Sequence, residues 1–137
     1  MREEAKVSNE AVINHLNLVV GDIQRSLEFY VQQLGFTYVR HLNARKAILE
    51  YKGFDFFIEQ ANNVEAHPRF HFGIKTSEAG VYEFAEFLRS KNIPLVPGNN
   101  PNGLADIYVT PDRVRHVFYF ADPDGYIVEV YSHIGNS

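Results

Sequence analysis

Three polar residues lie inside apolar stretches that read as β-strands: His15 in VINHLNLVV, His71 in RFHFGIKT and Glu129 in YIVEVYS. Successive strand side chains point to opposite faces, so counting by twos splits each stretch into two rows. In the first, Leu16, Leu18 and Val20 make one row, and His15 lies with Ile13, Asn17 and Val19 on the other. In the second, His71 lies with Arg69 and Gly73, opposite Phe70, Phe72 and Ile74. In the third, Glu129 shares a row with Ile127 and Tyr131, opposite Tyr126, Val128 and Val130. A carboxylate at such a position is costly to bury alone and needs water, a donor or a cation. Two imidazoles and a carboxylate form a ligand set for a divalent ion, leaving other coordination positions to water or substrate. His15, His71 and Glu129 are therefore the candidate metal ligands, and the ion would be the cation that Glu129 requires.

Composition narrows the chemistry. The chain has 137 residues, 45% of them hydrophobic, which suits one domain with a full core. It contains no cysteine, so neither a disulfide framework nor a thiolate nucleophile is available. The formal charge is -4, with no basic run beyond the scattered Arg113 and Arg115, which read as a solvated loop pair. This balance argues against nucleic acid as a partner. No apolar stretch reaches the roughly 20 residues that span a bilayer, and the start MREEAKVSNE is charged where a signal peptide would turn apolar, so a soluble cytoplasmic protein without membrane partners is the expectation.

The elements that must position these residues follow in order. Residues 1–11 read as a polar leader. A strand over 12–20 ends at Gly21-Asp22, and IQRSLEFYVQQLG predicts an α-helix with Ile23, Leu27, Tyr30/Val31 and Leu34 on one stripe, stopped by Gly35. FTYVRHL, KAILEY and FDFFIEQ predict three strands, with a hairpin at Lys52-Gly53. From Arg69 the order restarts: a strand, a helix with Val81, Phe84, Ala85 and Leu88 inward, the short strand IPLVP, a loop rich in Asn, Pro and Gly, and then the hairpin HVFYFA-DPDG-YIVEVY. The order of elements predicts a single domain over 12–137 built from two similar halves, about 12–61 and 68–133.

Three segments, HLNLVVGDIQRSLEFYVQQLGF, HFGIKT and FYFADPDGYIVEVY, resemble the signature stretches of the vicinal oxygen chelate superfamily, also called the glyoxalase/bleomycin resistance/dioxygenase family. The resemblance implies an α+β fold in which two βαβββ modules form an open, cup-shaped mixed β-sheet barrel with helices outside and one divalent metal ion in the cup. It maps the metal ligands onto His15, His71 and Glu129. The ion's identity among Ni, Zn, Mn and Fe does not follow from two His and a Glu. FIEQ is similar to the glyoxalase IEL segment, which would place a fourth site residue, a carboxylate acting as ligand or catalytic base, at Glu59. Aligning the halves by Gly53 and Gly125 instead makes Phe57 the counterpart of Glu129, which puts Phe57 against the substrate and leaves Glu59 one pleat further. Tyr119 has the parity to contact substrate or to serve as an aromatic wall, and Asn17 can hydrogen-bond a ligand or face solvent.

The function expected from this resemblance is a metal-dependent lyase or isomerase of glyoxalase type. It would stabilise an oxyanion of a small oxygenated substrate, with Glu129 or Glu59 moving the proton. Val19 stands where glyoxalase I places an arginine for glutathione, which argues against a glutathione thioester. Alternatives are an Fe(II) ring-cleaving dioxygenase, although Thr110 falls where that group places a second-sphere histidine, and a non-catalytic antibiotic-binding protein. The resemblance also implies a homodimer.

Overall fold

The computed structural model describes residues 8–133, in two compact units, Met1–Asn62 and Asn63–Ser137. The predicted leader over 1–11 falls largely outside the described residues.

In the first unit, β1 (His15–Val20) leads to a helical segment and then to β2 (Thr37–Asn43), β3 (Lys46–Tyr51) and β4 (Phe54–Gln60). The sheet order is β1-β4-β3-β2, with β1 parallel to β4 and the other pairs antiparallel. Alternation dictates which side chains go in: Leu18, Val20, Ala47, Leu49, Phe56 and Ile58 are buried, while His15 and Asn17 are exposed. The β3-β4 turn places Lys52 and Gly53 both at positive φ (51° and 89°), the conformation a two-residue hairpin requires and glycine favours. At the edge, β2 is exposed along its whole length. Val12 and Ile13, predicted as strand, precede β1 and are 77% and 92% exposed.

The helical segment departs from the α-helical stripe. Asp22 caps α1 (Ile23–Leu27) by accepting a hydrogen bond from the Arg25 amide at 3.1 Å, but Glu28–Gln33 is wound as a π-helix. Its wider turn shows in the Leu34 amide, which donates to the Phe29 carbonyl five residues back at 3.0 Å. The inward stripe is Ile23, Ser26, Phe29 and Tyr30, and Leu27, Val31 and Leu34 are only half-buried. Two adjacent aromatics thereby reach one core, where Tyr30 packs on Phe36 at 5.2 Å between ring centroids.

The second unit repeats the plan. β5 (His71–Lys75) is followed by α2 (Glu78–Ser90), β6 (Leu95–Val96), β7 (Tyr108–Val109), β8 (His116–Ala121) and β9 (Ile127–Tyr131). The order is β5-β9-β8-β6, with β5 parallel to β9, and β7 also pairs with β8. Ser77 caps α2 through the Gly80 amide, and Val81, Ala85 and Leu88 are buried at the predicted spacing. The DPDG turn closes around buried Asp122, whose Oδ1 accepts from the amides of Asp124 and Tyr126, with Gly125 at φ 92°. β7 is an element the sequence reading leaves inside a loop. Its two residues pair with Val117 and His116, and the preceding segment is tied by buried Asn100, whose Nδ2 donates to the Leu104 carbonyl at 2.8 Å.

Candidate functional site

In the second unit the parallel pairing of β5 and β9 sets Gly73 beside Glu129 and His71 beside Ile127. Gly73 presents no side chain there, the Tyr131 ring lies 3.4 Å from where a Cβ would stand, and the carboxylate is approached by His71. Its Nε2 stands 3.3 Å from Glu129 Oε1. His71 Nδ1 lies 3.4 Å from the Arg69 carbonyl; a proton held on Nδ1 leaves Nε2 as the ligand nitrogen. The Glu129 side chain is 12% exposed and that of His71 37%, and both line a cavity of about 530 Å³ together with Phe72, Gly73, Arg115, Tyr131 and His133.

The other Glu129 oxygen has a partner that the sequence reading missed. Arg115 Nη2 donates to Oε2 at 2.5 Å, and the guanidinium carbon lies 4.7 Å from the centroid of the Tyr131 ring. Arg115 is thus not a solvated loop residue. It leaves the turn before β8 and lies along Tyr131 to reach the glutamate. The turn is pinned by Asp112, which accepts from Thr110 Oγ1 at 2.6 Å and from the Val114 amide; the Thr110 hydrogen bond foremost holds its carboxyl below the ordinary carboxylate value. The signal was present in the register. β8 and β9 pair antiparallel with Val117 opposite Tyr131, so continuing the ladder puts Arg115 on the Glu129 face and opposite His133. His133 itself alternates in phase with Glu129 and Tyr131 and lines the cavity.

Tyr119 sits directly across from Glu129 and is 4% exposed. Its hydroxyl shares a 2.9 Å hydrogen bond with that of Tyr108, and the two rings stack. Burial first, then the Tyr108 hydrogen bond, pushes the phenol well above its ordinary value of 10.0, so it stays protonated. Gly98 lies on the ring face, where a Cβ would come within 2.3 Å of Tyr119 Cγ.

In the first unit His15, Asn17, Phe57 and Glu59 share one sheet face. β1 pairs with β4 so that Asn17 is beside Phe57, just as Gly73 is beside Glu129. The His15 ring packs on Phe57 at 5.0 Å between centroids, and its Nδ1 lies 3.1 Å from Asn14 Oδ1. By strand register Phe57 therefore occupies the place that Glu129 holds in the second unit. Glu59 is one pleat further, accepting from Asn17 Nδ2 at 3.2 Å and standing 3.8 Å from Lys46 Nζ, with its side chain 46% exposed.

Within either unit, no group of three or more His, Asp or Glu among the described residues is gathered that could hold a metal ion. The His71/Glu129 pair nevertheless fits one. Two donor atoms each about 2.1 Å from a common ion, at tetrahedral to octahedral angles, stand about 3.0–3.4 Å apart, and the separation observed is 3.3 Å. Arg115 on Oε2 leaves Oε1 for monodentate ligation.

Two units, each joining its first strand parallel to its last and covering one face with a helix, define an α+β protein of glyoxalase-like fold. The chain belongs to the Glyoxalase/Bleomycin resistance protein/Dioxygenase superfamily, whose model matches residues 12–130. A probable lactoylglutathione lyase from Vibrio cholerae serotype O1 is 25% identical over 90% of this chain and 91% of its own. Among solved structures, a glyoxalase/bleomycin resistance protein/dioxygenase from Nocardioides superposes with a TM-score of 0.77 at 21% identity, over 98% of this chain and 91% of that one. A lactoylglutathione lyase from Agrobacterium tumefaciens superposes with a TM-score of 0.72 at 19% identity, over 91% and 96%. A genomically encoded fosfomycin resistance protein from Listeria monocytogenes gives 0.73 at 15%, over 89% and 93%.

Proposed function

We propose that this protein is a metal-dependent enzyme that acts as a lyase or isomerase on a small oxygenated substrate. The observation that carries this reading is the 3.3 Å approach of His71 Nε2 to Glu129 Oε1 at the wall of an open cavity. A divalent ion held there would polarise substrate oxygens and stabilise developing negative charge. His71 and Glu129 would be ligands, and His15 is the third that the sequence resemblance maps. Glu59, tied to Asn17 and Lys46 on the His15 face, would move the proton, or Glu129 would do so when not ligated. Phe57 would give the substrate an apolar wall and Asn17 a hydrogen-bond donor, whereas Tyr119, 4% exposed with Gly98 on its ring, is packed inside the second unit. A cytoplasmic homodimer belongs to the same reading; among the described residues, no helix is long and apolar enough to cross a membrane.

One observation favours a second reading, that of a metal-free binding protein: Arg115 already gives Glu129 a cation. Elemental analysis of purified protein separates the two. Near-stoichiometric Ni, Zn, Mn or Fe, lost in His71→Ala and in His15→Ala, supports the enzyme, and Fe would move the assignment to a dioxygenase. Protein that stays metal-free after incubation with each ion supports the binding protein.

A further inference from the structure

We infer that Arg115 is a displaceable counter-ion which competes with the metal for Glu129 and so sets how tightly the ion is held. The inference rests on the metal-site reading above. The carboxylate is 12% exposed and is shared between two side chains, His71 on Oε1 and Arg115 on Oε2. A guanidinium makes its best contact with a carboxylate as a two-pronged fork. Here it uses one prong: Nη2 alone is bonded to the glutamate. Its Nε is buried with no hydrogen-bond partner among the described residues. The contact is thus electrostatically effective yet incompletely made, and the side chain is 35% exposed at the wall of an open cavity.

A dication at Oε1 would share one negative charge with the guanidinium already on Oε2. Either Arg115 remains and repels the ion, or it leaves and gives up its partner. Both routes weaken metal binding, and both are removed with the positive charge. A purely positioning role, in which Arg115 orients Glu129 toward the ion, predicts the opposite sign.

The test is calorimetric titration of chelator-stripped protein with Ni²⁺ and with Zn²⁺, with circular dichroism confirming the fold of every variant. Wild type is compared with Arg115→Gln, with Arg115→Lys, which keeps the charge, with Arg113→Gln as a charge control in the same turn, and with His71→Ala alone and combined with Arg115→Gln. The expected result is an affinity at least about fivefold tighter in Arg115→Gln, the size of an ordinary coupling between sites. Arg115→Lys should stay close to wild type, Arg113→Gln should be unchanged, and His71→Ala should abolish binding in both backgrounds. Equal or weaker affinity in Arg115→Gln, with binding still dependent on His71, overturns the counter-ion role and leaves the metal site standing. Binding that ignores His71, or none in any variant, overturns the metal site and the inference with it.

Discussion

Glu129 keeps a charge at 12% exposure with the Arg115 guanidinium bonded to one oxygen and the His71 imidazole 3.3 Å from the other. Desolvating a carboxylate without partners is prohibitive, whereas the charge-assisted hydrogen bond that Arg115 donates to Oε2 offsets part of the loss of water. Tyr119, directly across the sheet, meets burial differently: it stays neutral and satisfies its hydroxyl with that of Tyr108. Because its folded-state value is raised above that of the unfolded chain, its contribution to stability is complete below the unfolded value near 10 and is lost as the pH rises beyond it. Urea unfolding between about pH 9 and pH 11 should therefore show stability falling with pH in the wild type and falling less steeply in Tyr119→Phe. Parallel slopes would mean that Tyr119 ionises as freely in the folded protein as in the unfolded one.

At the scale of elements, the short β7 and the segment before it hold the Tyr119 face in place. Asn100 ties this segment internally, and Gly98 lets its backbone rest on the aromatic ring at φ 52°. A side chain at Gly98 is opposed twice, by the left-handed backbone and by a ring atom 2.3 Å from the new Cβ. Gly98→Ala is expected to destabilise the protein by about 2–3 kcal/mol, the sum of backbone strain and forced overpacking. Chemical denaturation measures this; a loss under about 0.5 kcal/mol, the usual range of surface substitutions, would show that the segment gives way without cost. The π-helical turn at Glu28–Gln33 belongs to the same scale. It is a local change of winding in a segment that buries the adjacent Phe29 and Tyr30.

For the molecule as a whole, a metal that binds the folded chain and not the unfolded one must stabilise it by mass action. At a hundredfold excess over the dissociation constant the gain is about 2.7 kcal/mol, which for a domain of this size shifts the melting temperature upward by several degrees. Differential scanning fluorimetry with chelator, and then with excess Ni²⁺ or Zn²⁺, should show that shift in the wild type and none in His71→Ala. A wild-type melting temperature indifferent to every ion would count against the proposed function at its foundation.

Much of this was determined by the sequence alone. Alternating apolar residues fixed the strands and their faces, DPDG and Lys52-Gly53 fixed two hairpins, and the repeated order of elements was legible as two halves, because each of these signals is local and repeats with the period of its backbone. The facing of His71 and Glu129 was legible too, from parity and the resemblance together. What tertiary structure decided was pairing. Register across β8 and β9 brought Arg115 to Glu129, register across β1 and β4 set Phe57 in the place Glu129 holds in the other unit, and core packing rewound a helix that periodicity would have left regular. These outcomes depend on which residues meet across a sheet, a property of two segments at once that neither segment encodes by itself.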